Sequence, residues 1–237
     1  MGANADLKNE IVFKVFGVTE KSLNDKFDEI GQETPNAEFS YENNLLDFKV
    51  KLTCENKREF DKAANLFTRS FYENIYADFE AELQEVLVSI LKIGKLTISV
   101  AESFTGGNLS AKIVSVPGAS EVFYEGVVAY ASEAKIKRLG VLEQSVLKNK
   151  PVSSQVAGEM ASGLLKNGAS DLAVATTGLA GPLSDESGFP VGLCFIAVGS
   201  SVGISVYKYM FDGTRREITE KGVQTALFLA IKSAKNI

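Results

Sequence analysis

Residues Leu96–Asn108 read LTISVAESFTGGN, and no other stretch restricts the fold of this chain as strongly. Leu96, Ile98 and Val100 alternate with smaller or polar residues, which is the period of a short strand. Gly106 and Gly107 then allow a tight turn, and Asn108–Val114 continues as a short helix. The N–H groups at the tip of such a helix favour anions and can hold an oxyanion. Ser103 stands where a nucleophile would be presented. The local pattern is equally explained by Ser103 or Thr105 capping the helix with no chemistry.

The chain contains no histidine, so the usual base near neutral pH and the commonest metal ligand are both missing. Hydrolytic chemistry must then fall to Lys, Asp, Glu or Tyr, and the absence of clustered metal-ligand spacings argues against a zinc enzyme. With 237 residues, there is room for one large domain or two modest ones. The longest apolar run, Val86–Ile93, is far too short for a membrane span, and the amino terminus lacks a secretory pattern. Cys54 and Cys194 lie far apart in strand-like runs and read as buried free thiols of a reducing cytoplasm. Net charge is −5, with −8 in residues 1–90, which leaves +3 for residues 91–237. The acidic first part argues against a nucleic-acid partner, and the basic second part suits a small anionic substrate.

Residues 10–18 give a strong strand signal, followed by an N-cap at Thr19 and a helix over 20–31 ended by Gly31. Residues 37–41 and 46–54 read as strands joined by an Asn43-Asn44 turn, and a helix starts at Asn56 with Phe60, Phe67 and Phe71 on its apolar face. This predicts a small α+β domain over 1–76, with its aromatics in the core. A helix over 79–93, capped by Gly94, joins it to a second domain over 77–237. There, strands are expected over 122–131, 171–175, 191–199 and 203–211, with helices over 132–139, 153–167 and 217–235. Ser132 reads as an N-cap. Strand ends at Ser103, Ser132 and Thr177 empty into polar turns, and a mixed sheet with helices on both faces would bring them to one edge.

Without histidine, the candidate pair for chemistry is Ser103 with Lys135. A serine hydroxyl is weakly nucleophilic until a base takes its proton, and a lysine can serve if burial or a cationic neighbour lowers its pKa. Lys137, Arg138 and Arg215 are candidate neighbours, Tyr130 a candidate proton relay or oxyanion donor, and the N–H groups around Thr105, Gly106 and Gly107 a candidate oxyanion hole. Spacing alone favours Lys135 as a solvated surface lysine, because lysines on helix first turns are common, and it also allows Thr177 as a turn cap and Arg215 and Arg216 as exposed charges in a loop.

AESFTGG (101–107), Tyr130 with SEAK (132–135), TGLAGP (177–182), PVG (190–192) and GTR (213–215) occur in an order that resembles the CinA family, in its carboxy-terminal nicotinamide-nucleotide amidase domain. The resemblance runs from about Phe79 to the end of the chain. Residues 10–76 resemble the small KH-like middle domain of longer CinA proteins, although no Gly-x-x-Gly loop is present, and their molybdopterin-binding-like domain, with any pyrophosphatase activity, has no counterpart here. The resemblance implies a three-layer α/β/α catalytic domain with a mixed sheet. It implies hydrolysis of nicotinamide mononucleotide to nicotinate mononucleotide and ammonia, with no metal or cofactor, by a cytoplasmic homo-oligomer. Carried over residue by residue, it makes Ser103 the nucleophile, Lys135 its base and Tyr130 an assistant, with Thr177 and Arg215 positioning substrate or oxyanion. Phe104 stands where the family commonly has Cys, LSDESGF (183–189) replaces a glycine-rich loop, and GTR replaces GDR, so substrate preference is where this chain is expected to differ. A pocket without turnover, or an interaction protein linked to competence or DNA damage, are the alternatives the resemblance leaves open.

Overall fold

The structure is a computed structural model that describes residues 8–166, 170–184 and 188–237. The chain divides into two compact units, Met1–Glu82 and Leu83–Ile237.

The first unit is a four-stranded antiparallel sheet in the order β2-β3-β1-β4, carrying two helices. Its elements are β1 (Asn9–Phe16), α1 (Glu20–Glu33), β2 (Glu38–Asn44), β3 (Asp47–Cys54), α2 (Lys57–Ser70) and β4 (Ile75–Ala77). Phe13 and Val15 of β1 and Phe48, Val50 and Leu52 of β3 pack with Leu23 and Ile30 of α1 and with Phe60 and Phe67 of α2. Phe67 sits among rings, 4.9 Å from Phe13 and 5.0 Å from Phe71, so the aromatics form core, as their helical spacing predicts. Lys14 and Asp47 are buried together at 3.3 Å, and the Tyr76 hydroxyl donates to both Asp47 oxygens. Burial raises the Asp47 pKa and the Lys14 charge opposes that rise. The triad ties β1, β3 and β4 together.

Three local expectations are corrected here. Helix α1 runs through Gly31 and ends at Glu33, where Thr34 donates its hydroxyl to the Ile30 carbonyl. The β2–β3 turn is made by Leu45 and Leu46, because Asn43 and Asn44 are still paired with Phe48 and Asp47. Leu45 takes a φ of +61°, the sign expected at the first central position of a II′ turn and a conformation L side chains resist. Leu45→Gly is therefore expected to stabilise this unit by about 0.5–1 kcal/mol in urea unfolding, after the entropic cost of glycine is set against the relieved strain. The short β4, too brief to show a period, lay outside the expected elements.

The second unit is a five-stranded mixed sheet in the order β6-β5-β7-β8-β9. It contains α3 (Leu83–Gly94), β5 (Ile98–Glu102), α4 (Asn108–Val114), β6 (Phe123–Val128), α5 (Ser132–Leu139), α6 (Glu143–Asn149), α7 (Ser154–Lys166), β7 (Leu172–Gly178), β8 (Leu193–Ser200), β9 (Gly203–Met210) and α8 (Arg215–Ala234). β5 pairs in parallel with β6 and β7, whereas β8 and β9 are antiparallel additions. Ala101, Ala173, Ala175 and Ala197 face α7 through Val156, Met160 and Leu164, while α8 covers the opposite face, giving three layers. Small residues on the α7 face let that helix approach the sheet closely. Cys54 and Cys194, one in each unit, are free and buried. No helix among the described residues is long and apolar enough to cross a membrane.

Several boundaries differ from expectation. The helix expected over 79–93 begins at Leu83 and belongs to the second unit. Gly94 stays helical and Lys95 takes the left-handed conformation at φ +54°. A Cβ at position 94 would come within 3.1 Å of the Leu96 side chain, a close approach that glycine avoids. Strand β6 stops at Val128, Ala131 rather than Ser132 is the N-cap of α5, and α6 was not anticipated. Helix α8 begins at Arg215, with Thr214 and Glu217 forming a capping box, so Arg215 and Arg216 are helical rather than in a loop. Thr177 lies within β7, which leads to the antiparallel β8 and not to a helix. Asn167, the expected end of α7, and 185–187 of the 183–189 loop lie outside the described residues.

Candidate active site

Because β5, β6 and β7 are parallel, their carboxyl ends share one edge of the sheet, with β5 in the middle. Ser103 follows β5 directly and its N–H donates to the Thr176 carbonyl at 3.0 Å. On the other side, the Ala129 N–H donates to the Glu102 carbonyl at 2.8 Å. These bonds extend the sheet past its strands and hold Ser103 between the exits of β6 and β7.

Lys135, on the first turn of α5, points back into this gap and is 2% exposed. Its Nζ lies 2.9 Å from Ser103 Oγ, 3.0 Å from the Ala129 carbonyl and 3.0 Å from the Tyr130 carbonyl. An ammonium donates to all three acceptors. A neutral amine has two N–H bonds and one lone pair. With both N–H groups on the carbonyls, its lone pair faces the Ser103 hydroxyl. Burial lowers the Lys135 pKa from 10.5 to about 8. Burial alone does this. Of the cationic neighbours expected to help, Lys137 and Arg138 are exposed, and the Arg215 guanidinium is engaged by the Gly181 carbonyl and the Tyr130 hydroxyl. Lys135 is therefore not the solvated surface lysine that its spacing favours.

The other expected residues divide. Ser103, Tyr130, Lys135, Thr177 and Arg215 all line one cavity of about 450 Å³, together with Phe104 and the Gly178–Gly181 turn. Among its described lining residues there are two cations and no carboxylate. Tyr130 meets Lys135 through its backbone carbonyl, and its exposed ring stands at the rim with the hydroxyl accepting from Arg215 at 2.9 Å. Thr177 is fully buried and donates its hydroxyl to the Pro151 carbonyl at 2.9 Å, so towards a ligand it can only accept. Thr105, Gly106 and Gly107 do not line the cavity. Gly106 and Gly107 adopt φ +60° and +97°, as the turn requires. Their N–H groups are not free, as expected, but bonded to the Ser103 carbonyl and to Glu102 Oε2. Thr105 shares a 2.7 Å hydroxyl contact with Thr176 in the interior.

Glu102 was not singled out by the sequence. Its fully buried carboxylate accepts from the N–H groups of Gly107, Leu109 and Ser110 and from the Ser110 hydroxyl. The chain thus supplies its own anion at the start of α4. A carboxylate placed just before a glycine-rich helix start is the signal that points to this. The Phe104 ring, expected to reshape the pocket, is buried and seated against Gly222 of α8.

The sequence model of the CinA C-terminal domain matches residues 80–234. The chain belongs to the CinA family. A CinA-like protein of Kosmotoga olearia is 36% identical over 223 residues, covering 91% of this chain and 54% of that protein. A competence-damage inducible protein of Caldicellulosiruptor bescii is 39% identical over 188 residues, covering 76% of this chain and 46% of its own length. The chain therefore spans about half the length of these CinA relatives. The crystal structure of the competence/damage inducible protein CihA from Agrobacterium tumefaciens superposes with a TM-score of 0.61 at 32% identity, covering 66% of this chain and 98% of that one. Every residue lining the cavity lies within the span matched by the CinA domain.

Proposed function

We propose that this protein is an amidohydrolase that converts nicotinamide mononucleotide to nicotinate mononucleotide and ammonia. The observation that carries the reading is the buried 2.9 Å contact between Lys135 Nζ and Ser103 Oγ, with two carbonyls taking the remaining lysine donors. In the neutral form Lys135 accepts the Ser103 proton while Oγ attacks the carboxamide carbon. The nitrogen of the tetrahedral adduct takes that proton from Lys135 as its bond to carbon breaks, leaves as ammonia, and an acyl-serine remains. Lys135 then draws a proton from water, the new hydroxide adds to the ester carbon, the bond to Ser103 Oγ breaks as Lys135 returns the proton to Oγ, and the acid product departs as its carboxylate with loss of a proton to solvent. The Arg215 guanidinium and the absence of a carboxylate among the described lining residues suit a substrate that carries a phosphate. Arg215 is the candidate group for that phosphate.

Ammonia release from nicotinamide mononucleotide tests the reading. Turnover is expected to be unaffected by a chelator and to fall by at least about 10³-fold in Ser103→Ala. Wild-type turnover in that variant would eliminate the nucleophile, and loss of turnover on chelation would eliminate the metal-free mechanism.

A further inference from the structure

Attack by Ser103 moves the carbonyl pair onto oxygen, and the resulting alkoxide needs a donor. The glycine turn does not provide one. The N–H groups of Gly106, Gly107, Asn108, Leu109, Ser110 and Ala111 are all bonded within the protein, as is that of Ser103. Phe104 and Thr105 remain. Among the described residues neither N–H has an acceptor, and only Phe104 also lines the cavity with Ser103. A buried, unpaired backbone N–H is rare enough to require an explanation. Phe104 is 5% exposed and follows the nucleophile directly.

We propose that the Phe104 peptide N–H is the oxyanion donor, and that Gly222 is a positioning residue that holds it by seating the Phe104 ring. This rests on the acyl-serine reading above. A Cβ at position 222 would lie 2.4 Å from Phe104 Cζ and 2.6 Å from Cε2. Helix α8 thus leaves a gap of one side chain, and the ring fills it. Seated there, the ring restricts the movement of the Phe104 peptide plane. A rival side-chain donor is the Tyr130 hydroxyl, whose proton is not used by its bond from Arg215.

The test uses the full chain, with nicotinamide mononucleotide and with p-nitrophenyl acetate, an activated ester that passes through the same kind of oxyanion without nucleotide recognition. Phe104→Pro removes the N–H and is expected to lower kcat about 10²–10³-fold on both substrates. Gly222→Ala displaces the ring and is expected to lower kcat at least tenfold, with KM within about twofold and the pH midpoint set by Lys135 unmoved. Adding Phe104→Leu to Gly222→Ala replaces the ring with a smaller apolar side chain that still fills the reduced gap and keeps the N–H, so it recovers most of that loss. If Phe104→Pro does not fold, the Gly222 pair of variants decides. Wild-type kcat in Gly222→Ala, or a loss confined to Tyr130→Phe, would overturn the proposal. Ester turnover that needs Ser103 and the Phe104 N–H, without any deamidation, would support it and overturn only the substrate assignment. Ester turnover indifferent to Ser103→Ala would overturn both.

Discussion

On the proposed mechanism, Lys135→Met is expected to abolish deamidation, by at least about 10³-fold, and to remove a pH-dependent part of the stability at the same time. A general base contributes about 10²–10⁴-fold, and a base that works as one unit with its nucleophile costs as much to lose as the pair. Lys135→Arg should be as inactive, because its guanidinium keeps the charge and cannot give up a proton. In the wild type, burial holds the Lys135 pKa near 8, so only about one-tenth is neutral at pH 7. The kcat/KM profile should therefore rise about tenfold per pH unit below 8 and level off above it. The stability sign follows from the same shift. The unfolded lysine titrates near 10.4 and the folded one near 8, so between these values the unfolded chain binds the extra proton. Stability attributable to Lys135 then rises with pH across that window. Below it, the buried ammonium costs on the order of 3 kcal/mol. Thermal unfolding of wild type and Lys135→Met at pH 7 and pH 10 reads this directly. The wild type should gain on the variant as pH rises, and equal gains in both would assign the effect to another group.

The sequence reached much of this site because its constraints are local there. Gly106 and Gly107 announce positive φ, and the structure uses both. The missing histidine turned attention to a lysine, and parallel strands brought Ser103 and Lys135 to one edge. What escaped was the destination of backbone groups. Nothing in SEAK says that Lys135 turns inward, since that depends on β6 stopping at Val128 and offering the carbonyls of Ala129 and Tyr130. Thr177 looked like a turn residue because strand β7 is capped by polar threonines that are paired inside the sheet. The Phe104–Gly222 contact joins positions more than a hundred residues apart and has no local signature. In the first unit, the Asn-Asn pair signals a turn more strongly than Leu-Leu does, yet pairing of Asn44 with Asp47 overrides that preference.

Glu102 presents the second large effect. Helix α4 has seven residues, too few to persist alone, and its N-cap Gly107 has no side chain to offer. Glu102 performs the capping from the end of β5, with Oε2 accepting from Gly107 and Leu109 and Oε1 from the Ser110 N–H and hydroxyl. Together these bonds also brace the 103–107 turn that carries Ser103. Glu102→Ala leaves three backbone N–H groups and a hydroxyl without their acceptor. At about 1–3 kcal/mol for each buried orphan, and with partial relaxation, a loss of about 4 kcal/mol or more is expected. Glu102→Gln keeps the shape but turns an NH₂ towards two donors, for a loss of about 2–3 kcal/mol. Denaturant unfolding measures both losses, and kcat should fall in the folded Gln variant because the turn loosens around Ser103. A Gln variant as stable and as active as the wild type would mean that packing, and not this carboxylate, holds the turn. The sequence reading had left the N–H groups of this turn free for a substrate anion. With Gly106 held by the Ser103 carbonyl and Gly107, Leu109 and Ser110 held by Glu102, the Phe104 N–H on the cavity lining is left as the donor of this turn to test.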